Sequence, residues 1–163
     1  MNPGLKYGII AGIVTILYFT AFYWVNPSLM LHWAVFYTSL LFYLGGMLLA
    51  VREQRREQAG ALTFQEGLRT AFTTYLVANL LYYGFYYGLH QYDPGLADIQ
   101  KQAMAEFLPK ITMKDQLPQA LRDLEKRDFG VDLGTAAFGY ARAAIGGFIL
   151  ALGVGYLNRS ADS

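Results

Sequence analysis

Arg142 is the only charged side chain inside an apolar run of this sequence. An arginine at mid-bilayer costs about 2.5 to 3.5 kcal/mol on insertion scales, so it needs a partner or an escape to the interface. It lies eight residues past Gly134, a rise of about 12 Å along a helix. Asn79, Tyr82 and Tyr83 fall at similar depth on a preceding run of opposite direction, and they offer a guanidinium an amide oxygen and hydroxyls. Tyr86 and Tyr87 repeat the tyrosines at i+4, giving two adjacent stripes. A guanidinium ringed in this way can hold an anionic headgroup, a phosphate or a quinone carbonyl. Arg142, Asn79, Tyr82, Tyr83 and Tyr86 are therefore the candidate ligand or lipid-headgroup site. The plainer reading is structural, with Arg142 snorkelling to the outer headgroups or pinning its helix, and the tyrosines forming an interfacial belt. The expectation carried forward is that Arg142 faces the bundle and bonds near Asn79, Tyr82 or Tyr83, because a lipid-facing guanidinium at that depth is costly unless it snorkels.

Other chemistry finds fewer residues. His32 and His90 fall near outer ends of the runs, but zinc wants three or four ligands, and the nearby Asp93 and Asp98 have no ligand spacing. No Asp or Glu lies within a run, which disfavours proton coupling through a membrane carboxylate. Ser28, Ser39, Ser160 and Ser163 lack a nucleophile-elbow context, and Asp123, Glu125 and Asp128 read as a charged helix face. The absence of cysteine removes disulfides, thiolate metal sites and a thiol nucleophile. With 13 basic and 12 acidic residues, no basic stripe accumulates, which argues against nucleic acid as a partner. The sequence thus predicts no catalytic residue, no cofactor and no metal, and the protein reads as no enzyme.

The elements that must position the candidate site are transmembrane helices. Residues 7–51 contain no Lys, Arg, Asp or Glu, a length that accommodates two spans of about 20 residues. The Asn26-Pro27-Ser28 break divides them into 7–25 and 30–51, and two further runs cover 70–90 and 135–157. The fold class is therefore all-α: one membrane domain over residues 1–163, built as a four-helix bundle. Lys6 precedes the first run as in a signal peptide, but the run is too long for an h-region, so it is expected to be a retained span.

Charge orients the bundle. Arg52, Arg55, Arg56 and Arg69 lie between spans two and three, while the turn between spans one and two carries no charge; both facts put the N-terminus in the cytoplasm. The insert at 91–134 balances six basic against eight acidic residues and can be translocated, after which Arg159 returns the C-terminus inside. Tyr18, Tyr23, Trp24, Trp33, Tyr37 and Tyr82 to Tyr87 crowd the outer ends, as an aromatic belt would. Within the insert, Leu96, Ile99, Ala103, Phe107 and Leu108 follow Asp93-Pro94 at helical spacing, with Pro109 expected to end the helix. Leu117, Ala120, Leu121 and Leu124 form a second short amphipathic helix, with Asp115 as the expected cap and Pro118 in the first turn. The pair either lies on the outer leaflet or packs as a lid over the bundle, and the lid is the favoured reading.

Span four also carries a mechanical signal. Gly139, Ala143, Gly147, Ala151 and Gly155 recur every four residues, a strip that another helix can approach closely; Gly146 and Gly153 widen it. Gly8 and Gly12, and Gly84 and Gly88, repeat the spacing elsewhere. The seam serves either packing inside the monomer, which is favoured, or a homodimer.

Several segments together carry a family resemblance. They are Lys6-Tyr7-Gly8-Ile9-Ile10-Ala11-Gly12, the stretch from Leu62-Thr63-Phe64-Gln65-Glu66-Gly67 through Leu68-Arg69-Thr70-Ala71-Phe72, Tyr92-Asp93-Pro94-Gly95, the helical insert and the Gly-rich last span. In this layout the chain resembles an uncharacterised family of small four-span bacterial inner-membrane proteins, domain of unknown function 4199. The resemblance implies fold and location, and no reaction, cofactor or site. The resulting expectation is a non-enzymatic accessory or scaffold protein of the inner membrane, its partners being membrane lipid and other membrane proteins or a second copy. The alternative is a small amphiphile- or lipid-binding or transport protein, with an outer-leaflet aromatic pocket around Arg142.

Overall fold

Local signals at the helix ends explain most of the element boundaries in the computed structural model, which describes residues 1–158. Arg159, expected to hold the C-terminus inside, lies outside the described residues. Helix α1 (Pro3–Val25) starts with proline in its first turn, and the Asn2 side chain accepts the Gly4 amide at 2.8 Å. Asn26 ends α1 and caps a single turn, α2 (Pro27–Met30), by accepting the Ser28 amide at 2.9 Å. Helix α3 (Trp33–Glu57) uses His32 Nδ1 as its cap, accepting the Ala34 amide at 3.2 Å. It leaves through Ala59 and Gly60, at φ 51° and 92°. The left-handed backbone at Gly60 is one that glycine adopts without a Cβ penalty.

Helix α4 (Phe64–Tyr92) opens on a capping box. Glu66 N donates to the Thr63 hydroxyl at 3.3 Å while Thr63 N donates to Glu66 Oε2 at 3.0 Å. Helices α5 (Gly95–Ile111) and α6 (Leu117–Lys126) form the insert, and α7 (Leu133–Asn158) closes the described chain. Asp132 Oδ1 accepts the Thr135 amide at 2.6 Å at the start of α7. The Thr135 side chain and amide together hold the Asp132 carboxyl below the ordinary carboxylate range. This cap therefore supports α7 above that range, and its contribution is lost as pH falls through the depressed value.

Two details of the insert depart from the sequence reading. Pro109 lies inside α5, which runs on to Ile111, with the Thr112 amide still bonded to Leu108 O at 2.9 Å. So near the C-terminus a proline removes one backbone bond without stopping the last turn. Asp115 is not the cap of α6. Gln116 occupies that position without a side-chain bond, and the backbone carbonyl of Met113 takes the Gln116 and Leu117 amides at 3.0 Å each.

Three helices, α1, α3 and α7, are long and apolar enough to cross a membrane, as in a multi-pass membrane protein. Helix α4 is not apolar enough, and here the structure departs from an expectation of four apolar spans. Its threonines, tyrosines and Asn79 lower the hydropathy, and the reason they are tolerated is position. Helix α4 packs along α1, α3 and α7, whereas α1 and α7 do not touch one another among the described residues. Thr70, Ala71, Thr74, Tyr75, Ala78, Asn79 and Tyr82 are all buried. The Thr74 hydroxyl donates to Thr70 O at 2.9 Å and Thr15 on α1 to Ala11 O at 2.8 Å, so these buried hydroxyls are satisfied by their own helices. Outward, the three apolar helices expose large side chains such as Leu17 (63%), Leu41 (63%) and Ile145 (67%).

Glycine sets the spacing of this arrangement. Gly4, Gly8 and Gly12 of α1 lie on Thr70 and Thr73, Thr74 and Val77, and Ala78 and Leu81 of α4, an order that makes the two helices parallel. Gly139, Gly147 and Gly155 of α7 lie on Tyr83, Tyr75 and Leu68, the antiparallel order. A Cβ at Gly8 would come within 2.7 Å of Val77, and one at Gly139 within 2.6 Å of the Tyr83 ring. The span-four seam therefore packs within the monomer, with Ala151 fully buried beside it. Gly146, Gly153, Gly84 and Gly88 face open space, so they do not widen or repeat the seam as the spacing suggested.

At one end of the helices Glu53 of α3 accepts Lys6 Nζ at 2.9 Å and the Tyr7 hydroxyl at 2.6 Å, tying α3 to α1. At the other end Phe19, Met30, Val35, Tyr82 and Leu96 form an apolar cluster, with α5 contributing Leu96 and Ile99. The Tyr23 hydroxyl donates to Asp93 Oδ2 at 2.8 Å, while Asp93 Oδ1 takes the Gly95 amide at 3.1 Å and so starts α5. Helix α6 packs on α5, where Lys101 Nζ donates to Glu125 O at 2.8 Å. The insert thus meets the helix ends through the first turns of α5, and among the described helices α6 packs on α5 alone.

The glycine contacts give a direct test. Gly147→Ala places a methyl against the Tyr75 ring and is expected to lower stability by about 1 to 3 kcal/mol, whereas Gly146→Ala, with nothing within 4 Å, should be neutral or mildly stabilising. Thermal unfolding of both variants in detergent measures the difference, and equal midpoints would contradict the packing described.

Candidate functional site

One face of α4 brings polar side chains together at i, i+4 and i+7: Tyr75, Asn79 and Tyr82, with Tyr83 alongside. Where this face meets α3 and α7 there is a cavity of ≈ 30 Å³, room for about two waters or one small oxygen-bearing group. Ser39 and Tyr43 of α3 and Ala143 of α7 complete its walls. The glycines opposite Tyr75 and Tyr83 fix this geometry, because they let both rings lie against the α7 backbone. Ring contacts hold the rest: Tyr43 to Tyr75 at 5.3 Å between centroids, Tyr82 to Phe19 at 5.0 Å, and Tyr82 stacked on Tyr86 at 5.9 Å.

Asn79 is 4% exposed and its Nδ2 has no hydrogen-bond partner among the described residues. An unmade bond of this kind, buried, costs about 1 to 3 kcal/mol. By contrast the Ser39 hydroxyl is satisfied, donating to Phe36 O at 2.6 Å. An amide with one bond unmade therefore stands in the cavity wall.

The structure separates the residues grouped from sequence. Asn79, Tyr82 and Tyr83 do share the cavity wall. Tyr86 sits beyond it, where its hydroxyl accepts Gln100 Nε2 of α5 and its ring lies 4.2 Å from that of His90. Arg142 is exposed and makes no hydrogen bond or ion pair among the described residues, contrary to the expectation that it turns inward onto Asn79, Tyr82 or Tyr83. Its neighbour Ala143 occupies the inward position instead.

Tyr43 and Tyr75 were not singled out from sequence, and Ser39 was considered only as a nucleophile; the i+4 step from Tyr75 to Asn79 was the available signal. The pairing of Lys6 and Tyr7 with Glu53 was also missed, since nothing local links residues so far apart in the chain. The two histidines have separate structural uses. His32 caps α3, and His90 is buried with Nδ1 at 2.9 Å from Tyr86 O. No group of three or more metal-ligating side chains occurs among the described residues.

A family model described as "Protein of unknown function (DUF4199)" matches residues 6–160, which covers all seven helices but for the first residues of α1. The chain belongs to this family. The match takes in α4, the insert and α7, and so includes every residue around the cavity. No curated protein and no solved structure matches the chain.

The exposed position of Arg142 predicts that Arg142→Leu folds as well as the parent. Its unfolding midpoint in detergent without added lipid should correspond to a change within about 0.5 kcal/mol. A clear loss of stability would instead require an internal hydrogen-bonded role.

Proposed function

We propose that the chain is a four-span protein of the bacterial inner membrane, with both termini cytoplasmic, that acts as a non-enzymatic accessory or scaffold component. The observation that carries this reading is the position of α4: the long helix without a span-length apolar window is the one that packs along all three helices that have one. Such an arrangement suits a helix that crosses a bilayer screened from lipid by its neighbours, because polar side chains are tolerated there when they face protein. Arg52, Arg55 and Arg56 on the last turns of α3 favour a cytoplasmic position for the α3–α4 connection. The mixed-charge α5–α6 insert then lies outside.

The accessory role draws on the same features. The insert leaves Phe107, Ile111 and Met113 uncovered on its outer side, and Gly84 and Gly88 leave a smooth strip on α4. Both are surfaces on which lipid, another membrane protein or a second copy could pack. Nucleic acid has no basic face to bind.

Reporter fusions test the topology. A fusion after Leu108 should report an external location and one after Leu157 a cytoplasmic one. A cytoplasmic signal after Leu108 would mean that α4 does not cross, and the four-span reading would fail.

A further inference from the structure

We propose that the cavity over Asn79 receives the anionic oxygen head of a membrane amphiphile, entering sideways from the bilayer between α3 and α7, with Arg142 as its counter-ion at the rim. The proposal rests on the four-span reading, since it requires the α3–α7 face to meet lipid.

Two unmet demands stand at one depth. Nδ2 of Asn79 is a buried donor without an acceptor. The Arg142 guanidinium is an exposed cation without an anion among the described residues. Register places them together: Gly139 lies on Tyr83 and Gly147 on Tyr75, so the residues midway on α7 stand level with Asn79. Ala143, next to Arg142, lines the cavity itself. A guanidinium on a lipid-facing surface at that depth calls for a negative partner, and no carboxylate of the chain lines the cavity.

The walls agree with an acceptor ligand. Tyr75, Tyr82 and Tyr83 bring hydroxyls that no described residue bonds, and a phenol donates readily to an anionic oxygen. The cavity, ≈ 30 Å³, holds a carboxylate or the oxygens of a phosphate, not a whole lipid. The acyl chain would lie along the apolar outer surface of α3 and α7, which Leu41 and Ile145 expose. Phe36, 45% exposed, forms one apolar edge of the cavity. A fatty acid carboxylate and an anionic phospholipid headgroup both present this chemistry.

The test uses the full chain in nanodiscs of zwitterionic phosphatidylcholine, with a diazirine-bearing fatty acid as photolabel. Labelling is expected to saturate and to map to α3 around Phe36 and to α7 around Ala143. Asn79→Leu and Arg142→Gln should each raise the half-saturating concentration about tenfold or more, the equivalent of losing one charge-assisted contact. Thermal unfolding checks that both variants fold; should Asn79→Leu fail this check, Arg142→Gln, which changes an exposed residue, decides alone. Competition by oleate but not phosphatidylglycerol assigns the site to free fatty carboxylates, and the reverse to phospholipid headgroups; both support the proposal. It is overturned if labelling is unsaturable and spread over the apolar surface, if folded variants bind as the parent does, or if neutral oleyl alcohol competes as well as oleate. Each of these results can occur with the fusion topology intact, so the site can fail without the four-span reading failing.

Discussion

The close approach of α1 and α7 to the backbone of α4 is the constraint from which the rest of this structure follows. Gly8 and Gly147 are on different helices, one running parallel and the other antiparallel to α4, yet they do the same thing: each removes a side chain where α4 supplies one. In an apolar medium there is little hydrophobic gain in bringing two helices together, so tight van der Waals contact has to drive it. Small residues on the outer helices and larger ones on α4 give that contact on both sides. The consequence is a central helix with one face covered, and that cover is what lets α4 keep buried threonines, tyrosines and an asparagine.

Shielding has a second effect. Polar groups sealed inside must find partners within the protein, and the threonines do so through the carbonyls one turn back. Asn79 is not satisfied in that way, although Asn158 on α7 is, its Nδ2 donating to Val154 O at 2.9 Å. The position of Asn79 beside a small cavity follows from the packing: two tyrosine rings lie against glycines of α7, and the asparagine stands at the level between them. Rings and amide together make a largely apolar pocket with a polar edge out of what began as a packing device.

Most of the helical layout was legible in the sequence because it rests on local signals. The uncharged stretch before Arg52, the Asn26-Pro27 break and the Thr63 to Glu66 box each act within one or two turns, and the helices begin and end near them. The four-residue recurrence in the last helix was likewise readable, and it meets α4 as a seam should. What could not be read was direction around the helix axis. Arg142 and Ala143 are adjacent, and one residue of rotation decides which faces the cavity. Gly146 and Gly147 pose the same problem, one facing open space and the other a tyrosine ring. The Lys6–Glu53 pair was hidden for a different reason, since its members meet only after two helices have folded against each other. Helix α4 was expected to be a span from its length and lack of charge, and its hydropathy falls short of that expectation.

That α1 and α7 never meet bears on how such a protein is made. During synthesis α1 and α3 emerge first, and both are apolar enough to enter a bilayer unaided. In the arrangement proposed, α4 follows as a segment too polar to be comfortable alone, but the glycine face of α1 and the flank of α3 are already waiting for it. Helix α7 comes last and covers the side of α4 that remains. The order of the helices along the chain is then also an order of assembly, in which no polar surface waits in lipid for longer than the time needed to translate its cover.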